Sequence, residues 1–457
     1  MKRLWLVICL AVLAIAALAL WLSRAASQSS PERFIIIVVD SLRADHVGSY
    51  GSEKGLTPNI DAFAATATQF DNAYSAAPYT FASNAALLTG KYPHEVRGRS
   101  PGRVADEAIT LAEYFRAAGY ATAAFSAHFI ITRECNFQQG FEAFMHADRQ
   151  DDAMLKRCCN WLSRHKGDRY FVFMYLWDPH LPYRSKDITP ELKAKFDSVR
   201  PRARNGDPPL GLDIRRPKIT PHPSSDKECS RLEVEVLHEL YDGAIRQADR
   251  RVGRILREIE DDAGTVVAVV SDHGEEWLDH DGLRHMLTLY RELLHVPCIV
   301  RVPGEAPRKV ATPMSNIDLT PTLLRLAGIT VPTGLRGRPV IGDFEARPIF
   351  SECGYIRSFS IHRYGVRMGD ETLIYSVKDL LAEPPIPEAG VWERYDLARD
   401  PDQRKPLPID ADSELHRTLR DYCEETQDRL EPYRRIQMQS LSKDLLEKLR
   451  ALGYTAE

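Results

Sequence analysis

An excess of positive charge is the first thing this sequence lacks. Sixty Lys and Arg stand against 64 Asp and Glu, a formal net charge of −4 over 457 residues. No whole-chain field draws in a polyanion, so nucleic acid is not an expected partner. Cysteines at metal-ligand spacing are also missing: none of the intervals among Cys9, Cys135, Cys158, Cys159, Cys229, Cys298, Cys353 and Cys423 fits a zinc or iron site. Seven of them follow the first apolar segment, an odd number that leaves room in an oxidising compartment for one or two disulfides of unreadable connectivity. Cys298, inside the apolar run 296–300, reads as a core residue. There is no internal repeat, which excludes a solenoid.

Long apolar runs are scarce too, and the exception is at the start. Residues 4–22 are uncharged and strongly apolar, with Trp5 and Trp21 near the two ends and Lys2 and Arg3 in front. At the helical rise such a run spans roughly 28 Å, enough for a bilayer core, whereas the apolar part of a cleaved signal peptide is usually about 7–15 residues. The expectation is a single uncleaved transmembrane helix with its N-terminus in the cytoplasm, with a cleaved signal peptide as the alternative. The chain after residue 30 is then periplasmic or extracellular.

The rest of the chain, 44% hydrophobic and 27% charged, is globular in composition. Residues 34–39, 170–177 and 265–270 are short runs dominated by β-branched or aromatic residues, the pattern of strands buried on both faces of a parallel sheet. Each stops at polar text: Asp40, Asp178-Pro-His180 and Ser271-Asp272-His273. Ligands of open α/β sheets gather at the carboxyl ends of strands, so these acids and histidines are placed for chemistry. Residues 109–120 read as an amphipathic helix, 121–125 as a strand, and 240–259 as a helix whose acids face solvent. Residues 202–230, rich in Pro and basic side chains, read as a long loop.

One stretch organises the remainder. In Thr80-Phe-Ala-Ser-Asn-Ala-Ala-Leu87-Leu-Thr89-Gly90-Lys91-Tyr-Pro-His94, the second half resembles the segment after the catalytic residue in the sulfatase branch of the alkaline-phosphatase superfamily. There the usual text is Cys-x-Pro-x-Arg-x-x-Leu-x-Thr-Gly, which puts Thr80 at the nucleophile position and Ala82 and Asn84 where Pro and Arg belong. A threonine cannot be oxidised to the formylglycine aldehyde. Asp40-Ser-Leu-Arg-Ala-Asp-His46 with Gly48-Ser-Tyr-Gly51 resembles the first metal motif, with Ser41 where most sulfatases have a second acid. Asp272-His273-Gly274 resembles the second metal motif, and Ser126-Ala127-His128 keeps the family histidine but not its lysine.

The resemblance implies an α/β/α sandwich with a small C-terminal α+β subdomain: an anchor and linker in residues 1–30, a catalytic domain in 31–345 and the subdomain in 346–457. It implies metal ligation by Asp40, Thr80, Asp272 and His273, catalytic roles for Thr80, His128, His180 and His285, and substrate contacts from Asn84 and Lys91. Two carboxylates and an imidazole suit one divalent ion such as Mn, Zn or Mg better than the oxygen cage of Ca. The expected activity is hydrolysis or transfer of phosphate mono- or diesters through a phosphothreonine. Alternatives are a sulfuric ester hydrolase without formylglycine and a non-catalytic anion-binding member. A lipid headgroup or envelope glycan would be a fitting ester substrate beside a membrane. Ser83 as nucleophile, Thr80 as a mere helix cap, and a second metal on Asp178, His180 and His285 stay open, while His46, His94, His280 and His295 read as structural.

Overall fold

The computed structural model describes residues 31–96, 102–148, 151–181, 183, 189–199, 231–260, 264–354, 361–378 and 390–430. The apolar segment 4–22 and the loop 202–230 lie outside the described residues, as does the chain end after 430. Among the described residues no helix is long and apolar enough to cross a membrane.

The β-branched run at the start forms Arg33–Val39 (β1), and the later runs form Thr68–Phe70 (β2), Ala121–Ser126 (β3), Ala143–His146 (β4), Tyr170–Leu176 (β5), Thr265–Ser271 (β6), Cys298–Arg301 (β7) and Arg308–Val310 (β8). They make one eight-stranded sheet in the order β8-β2-β7-β6-β1-β5-β3-β4. Every pairing is parallel except those of β7, which runs against both β6 and β2. Every residue of β5 and β6 is buried, as is all of β1 after Arg33, so both faces of the central strands are covered. Each such Ile, Val or Phe stabilises the fold by roughly 1.5–3 kcal/mol, which is why these runs do not alternate with polar residues.

The covering helices fall into two sets that pack among themselves. Pro58–Ala64 (α1), Asp151–Arg164 (α4) and Arg231–Glu258 (α5) form one; Thr80–Thr89 (α2), Leu111–Ala117 (α3) and Leu319–Leu326 (α6) form the other. Helix α3 starts at Leu111 because Thr110 caps it, accepting from the Glu113 N–H while Glu113 accepts from the Thr110 N–H at 2.8 Å. The acids of α5 do not all face solvent as expected. Asp249 is buried and accepts from the Asn59 and Ile60 N–H groups at 3.0 and 2.9 Å, so it caps α1 from the neighbouring helix.

Ile349–Cys353 (β9), Ile361–Met368 (β10), Glu371–Lys378 (β11) and Val391–Asp396 (β12) make a second, antiparallel sheet, with Glu414–Leu430 (α7) packed on its middle strands. It supports the chain on both sides of α2, at Ser75 before the helix and at His94 after it. The buried Glu352 carboxylate accepts from the backbone N–H of His94 at 2.9 Å, and the Ser351 hydroxyl donates to the Ser75 carbonyl at 2.7 Å. The room the sequence leaves for disulfides is not used among the described cysteines: Cys135, Cys158, Cys159, Cys298, Cys353 and Cys423 are all free and buried.

Candidate active site

Strands β6, β1, β5 and β3 are adjacent and end at one level, with Val39 opposite both Ser271 and Leu176, and Tyr175 opposite Ser126. The next residues are therefore delivered to one place: Asp40 after β1, Asp272 and His273 after β6, and His128 after β3. All four are fully buried. His273 Nε2 lies 3.5 Å from Asp40 Oδ1 and 3.7 Å from Asp272 Oδ2, and Thr80 Oγ1 lies 3.3 Å from the same nitrogen. The structure thus brings together the four residues expected to hold the metal.

Thr80 reaches this cluster because it is the first residue of α2, behind an extended Tyr79 at the N-cap. The threonine is not the cap, and its hydroxyl is turned to His273. The first N–H groups of α2 have no intrahelical partner, so the nucleophile position sits in a partial positive charge that suits an anionic oxygen. Gly274 allows the close turn after His273, since a Cβ there would stand 1.9 Å from the Glu292 carbonyl oxygen.

The donor set fits a cation. His273 Nδ1 is 2.9 Å from the Gly274 carbonyl, which places the ring proton there and leaves the Nε2 lone pair facing two carboxylates. Acceptors converging in this way repel one another unless a positive charge lies among them. Burial, with Asp272 next in effect, holds the Asp40 carboxyl well above the usual carboxylate range. Asp40 Oδ2 is buried without a hydrogen-bond partner, as is Asn84 Oδ1.

Two groups that sequence reasoning did not assign, Tyr175 and Ser41, fix these carboxylates, and a third, Glu275, fixes a neighbouring histidine. Tyr175 on β5 donates its phenolic proton to Asp272 Oδ2 at 2.7 Å, and burial beside Asp272 and Asp40 raises its pKa well above the ordinary value. Ser41, read as a missing ligand, takes a left-handed conformation with φ of 57°. Its amide donates to Asp272 Oδ1 at 3.2 Å and its hydroxyl to Asp40 Oδ1 at 2.9 Å. Glu275 accepts from His285 Nδ1 and from the Tyr183 hydroxyl, both at 2.9 Å. A tyrosine within a buried run and an acid directly after Asp-His-Gly were the available signals.

His128, His180 and His285 form an arc beside the cluster. Ring centroids are 5.4 Å apart for His128 and His180, 4.8 Å for His180 and His285, and 4.4 Å for His285 and His273. Burial, followed by the neighbouring histidines, lowers the pKa of all three well below the ordinary value, so each is neutral at pH 7. Their tautomers differ. His128 Nδ1 accepts from the Ile130 N–H at 3.0 Å, so Nε2 carries its proton, 3.5 Å from Asp40 Oδ2. His180 Nδ1 faces the Leu181 carbonyl at 2.5 Å and His285 Nδ1 faces Glu275, so both present Nε2 as an acceptor.

Four readings are corrected. Asn84 does not offer its amide protons to substrate, since both are used on the Thr80 carbonyl at 2.8 Å and Asp272 Oδ2 at 2.9 Å. Lys91 follows the C-terminal end of the ten-residue α2, roughly 15 Å along the axis from Thr80, so the structure does not bring it to the cluster. Ser83 is committed elsewhere, donating to the Asp272 carbonyl at 2.6 Å and accepting from Asn316 Nδ2 at 2.9 Å. Asp178 pairs with Arg251 and accepts from Gln247 at 2.7 Å, so it does not join His180 and His285 around a second ion.

Comparison with known proteins agrees with this geometry. The Sulfatase family model matches residues 32–329. A Delta 4,5-hexuronate-2-O-sulfatase of Bacteroides thetaiotaomicron is 25% identical over 439 residues, covering 86% of this chain and 88% of its own length. Among solved structures, a 2-O GAG sulfatase superposes with a TM-score of 0.65 at 20% identity, covering 89% of this chain and 93% of that one. The phosphonate monoester hydrolase of Agrobacterium radiobacter superposes with a TM-score of 0.64 at 18% identity, covering 88% and 96%. The chain belongs to the sulfatase family of the alkaline-phosphatase superfamily and is an ester hydrolase of that group.

Proposed function

We propose that this chain is a metal-dependent hydrolase or transferase of phosphate mono- or diesters that uses Thr80 as its nucleophile. The observation that carries the reading is the Thr80 hydroxyl 3.3 Å from His273 Nε2, at the start of α2 and beside the buried cluster of Asp40, Asp272 and His273. A secondary alcohol there can attack an ester but cannot become an aldehyde hydrate. A divalent ion held by Asp40, Asp272 and His273 with Thr80 would lower the pKa of that hydroxyl and draw charge off the phosphoryl oxygen.

The chain's own groups supply the rest. Thr80 Oγ1, its proton lost to water as the hydroxyl ionises, forms a bond to phosphorus as the bond to the leaving oxygen breaks; that oxygen takes a proton from water, and the amides at the start of α2 receive a non-bridging oxygen. His128, neutral and with its proton on Nε2, donates a hydrogen bond to a substrate oxygen. His180 and His285, neutral and with Nε2 as acceptor, take the proton from the water or alcohol that then cleaves the phosphothreonine. Glu275 fixes the tautomer of His285.

The similarity to a phosphonate monoester hydrolase supports a phosphorus ester. A sulfuric ester is the second reading, favoured by the sulfatase names of the relatives, one of them a structure in complex with D-glucosamine-2-N,6-O-disulfate. In the favoured reading the catalytic domain is extracytoplasmic and tethered by residues 4–22, which makes lipid headgroups and envelope glycans accessible esters.

The test is an assay of metal-stripped protein resupplied with Mn, Zn, Mg or Ca on aryl phosphate monoester, phosphodiester and sulfate ester. Turnover of a phosphorus ester that needs metal and falls at least about a thousandfold in Thr80→Ala is the expected result. Sulfate turnover that survives Thr80→Ala would overturn the threonine mechanism.

A further inference from the structure

We propose that His46, His238 and Asp242 form a second divalent-metal site, suited to a zinc-class ion and sharing no residue with the catalytic cluster. His238 and Asp242 are four residues apart on α5, so their side chains lie one turn apart on the same face. His46 comes from the short turn Ala44–His46 after β1 and faces them. Its Nε2 is 3.3 Å from His238 Nε2 and 3.6 Å from Asp242 Oδ1. Ligand atoms about 2.0–2.1 Å from a tetrahedral zinc ion stand roughly 3.3 Å from one another, so these are the edges of a ligand shell.

The tautomer of His46 agrees. Its Nδ1 is 2.8 Å from Asp45 Oδ1, which puts the ring proton there and the Nε2 lone pair toward His238. A carboxylate behind a ligating imidazole fixes the ring and raises its basicity. Asp45 is itself held by the Arg43 guanidinium through bonds of 2.9 and 2.7 Å. Burial, then the charge of Lys54 and His46, lowers the His238 pKa to about 4, which keeps that ring unprotonated near neutrality.

A positive charge already seeks the position. The Lys54 ammonium is 3.2 Å from His46 Nε2 and 3.0 Å from both Asp242 oxygens. Its side chain is 38% exposed and can swing into solvent, whereas that of His46 is 6% exposed. Lys54 is therefore a competitor for the site rather than a member of it. Two imidazoles and one carboxylate favour zinc over magnesium or calcium. An ion here would clamp α5 to the loop that carries Asp40. The contact already exists beside it, where the Tyr241 hydroxyl donates to the Ser41 carbonyl at 2.6 Å and accepts from the Arg43 N–H at 3.2 Å.

The experiment is equilibrium dialysis of the full chain against zinc, with cobalt absorption as a second readout, in wild type, His238→Ala, Asp242→Asn and Lys54→Ala. Wild type is expected to hold one more ion per chain than His238→Ala or Asp242→Asn, and Lys54→Ala to bind that ion about tenfold more tightly. Far-ultraviolet circular dichroism checks that each variant is folded, and ester turnover reports separately on the catalytic cluster. Equal zinc stoichiometry and affinity in wild type and folded His238→Ala would overturn the proposal, as would weaker binding in folded Lys54→Ala.

Discussion

One amide joins Asn84 to Asp272: the Asn84 Nδ2 donates to Asp272 Oδ2 at 2.9 Å and also to the Thr80 carbonyl at 2.8 Å. The carboxylate and the first turn of α2 are thereby held in one arrangement. Asn84→Ala removes the bond and leaves Asp272 Oδ2 with the Tyr175 hydroxyl alone among these two donors. Groups that orient a metal-binding carboxylate are typically worth 10–100-fold in metal affinity or activity. The expected outcome is a loss of about that size in divalent-ion affinity, measured by calorimetric titration, with the fold retained. An unchanged affinity would mean that Tyr175 and Ser41 suffice to hold Asp272.

What could be read from the chain without coordinates follows from how local each signal is. Asp40 and Asp272 stood out because each ends a run of β-branched residues, and such a run has one stable place, a strand covered on both faces. Thr80 is legible through the text that follows it, and it is the first residue of its helix, directly after the extended cap residue Tyr79. Lys91 is misread through the same proximity, since the ten-residue helix that begins at Thr80 carries the chain more than a site's width before Lys91 is reached. Tyr175 and Glu275 lie beyond local reasoning. Tyr175 meets Asp272 across 97 residues of chain, and only the pairing of β5, β1 and β6 brings them together. The burial of Asp249 escaped for a similar reason, because its partners are the open N–H groups of a helix 190 residues away.

The cysteines give a test that needs no substrate. All six described thiols are buried, and burial raises the pKa of each, Cys135 to about 12 and Cys353 to about 11. Since the thiolate is the reactive form, these groups are inert in the native protein. A thiol-reactive dye should therefore label them only after unfolding, and a reductant should leave the native melting temperature unchanged. Rapid labelling of Cys135 in native protein would contradict the packing around it.

Glu276 is the acid whose titration should be visible in stability. Burial, and next the charge of Glu292, push its carboxyl up to about 7 from an ordinary value of 4.5. Its Oε1 accepts from the His280 and Gly282 N–H groups at 3.1 and 2.9 Å, and its Oε2 is 3.1 Å from the Thr288 hydroxyl. The folded protein binds more protons here than the unfolded chain between these two pKa values. The stabilising contribution is then complete below about pH 4.5 and is lost as pH rises through 7. Glu276→Gln mimics the protonated acid at every pH: its carbonyl keeps the two amide donors and its NH₂ donates to Thr288. At about pH 5 the variant and wild type should unfold at similar urea concentrations, and at about pH 8 the variant should be more stable by on the order of 1–3 kcal/mol. His280 reduces the effect without reversing it, because its ring answers first to Glu292, 2.7 Å from Nδ1, and to the Gln403 carbonyl, 2.9 Å from Nε2, and only after these to the charge of Glu276. A difference that is flat from pH 5 to 8, or that favours wild type at pH 8, would show that Glu276 is ionised throughout and that its three donors outweigh burial.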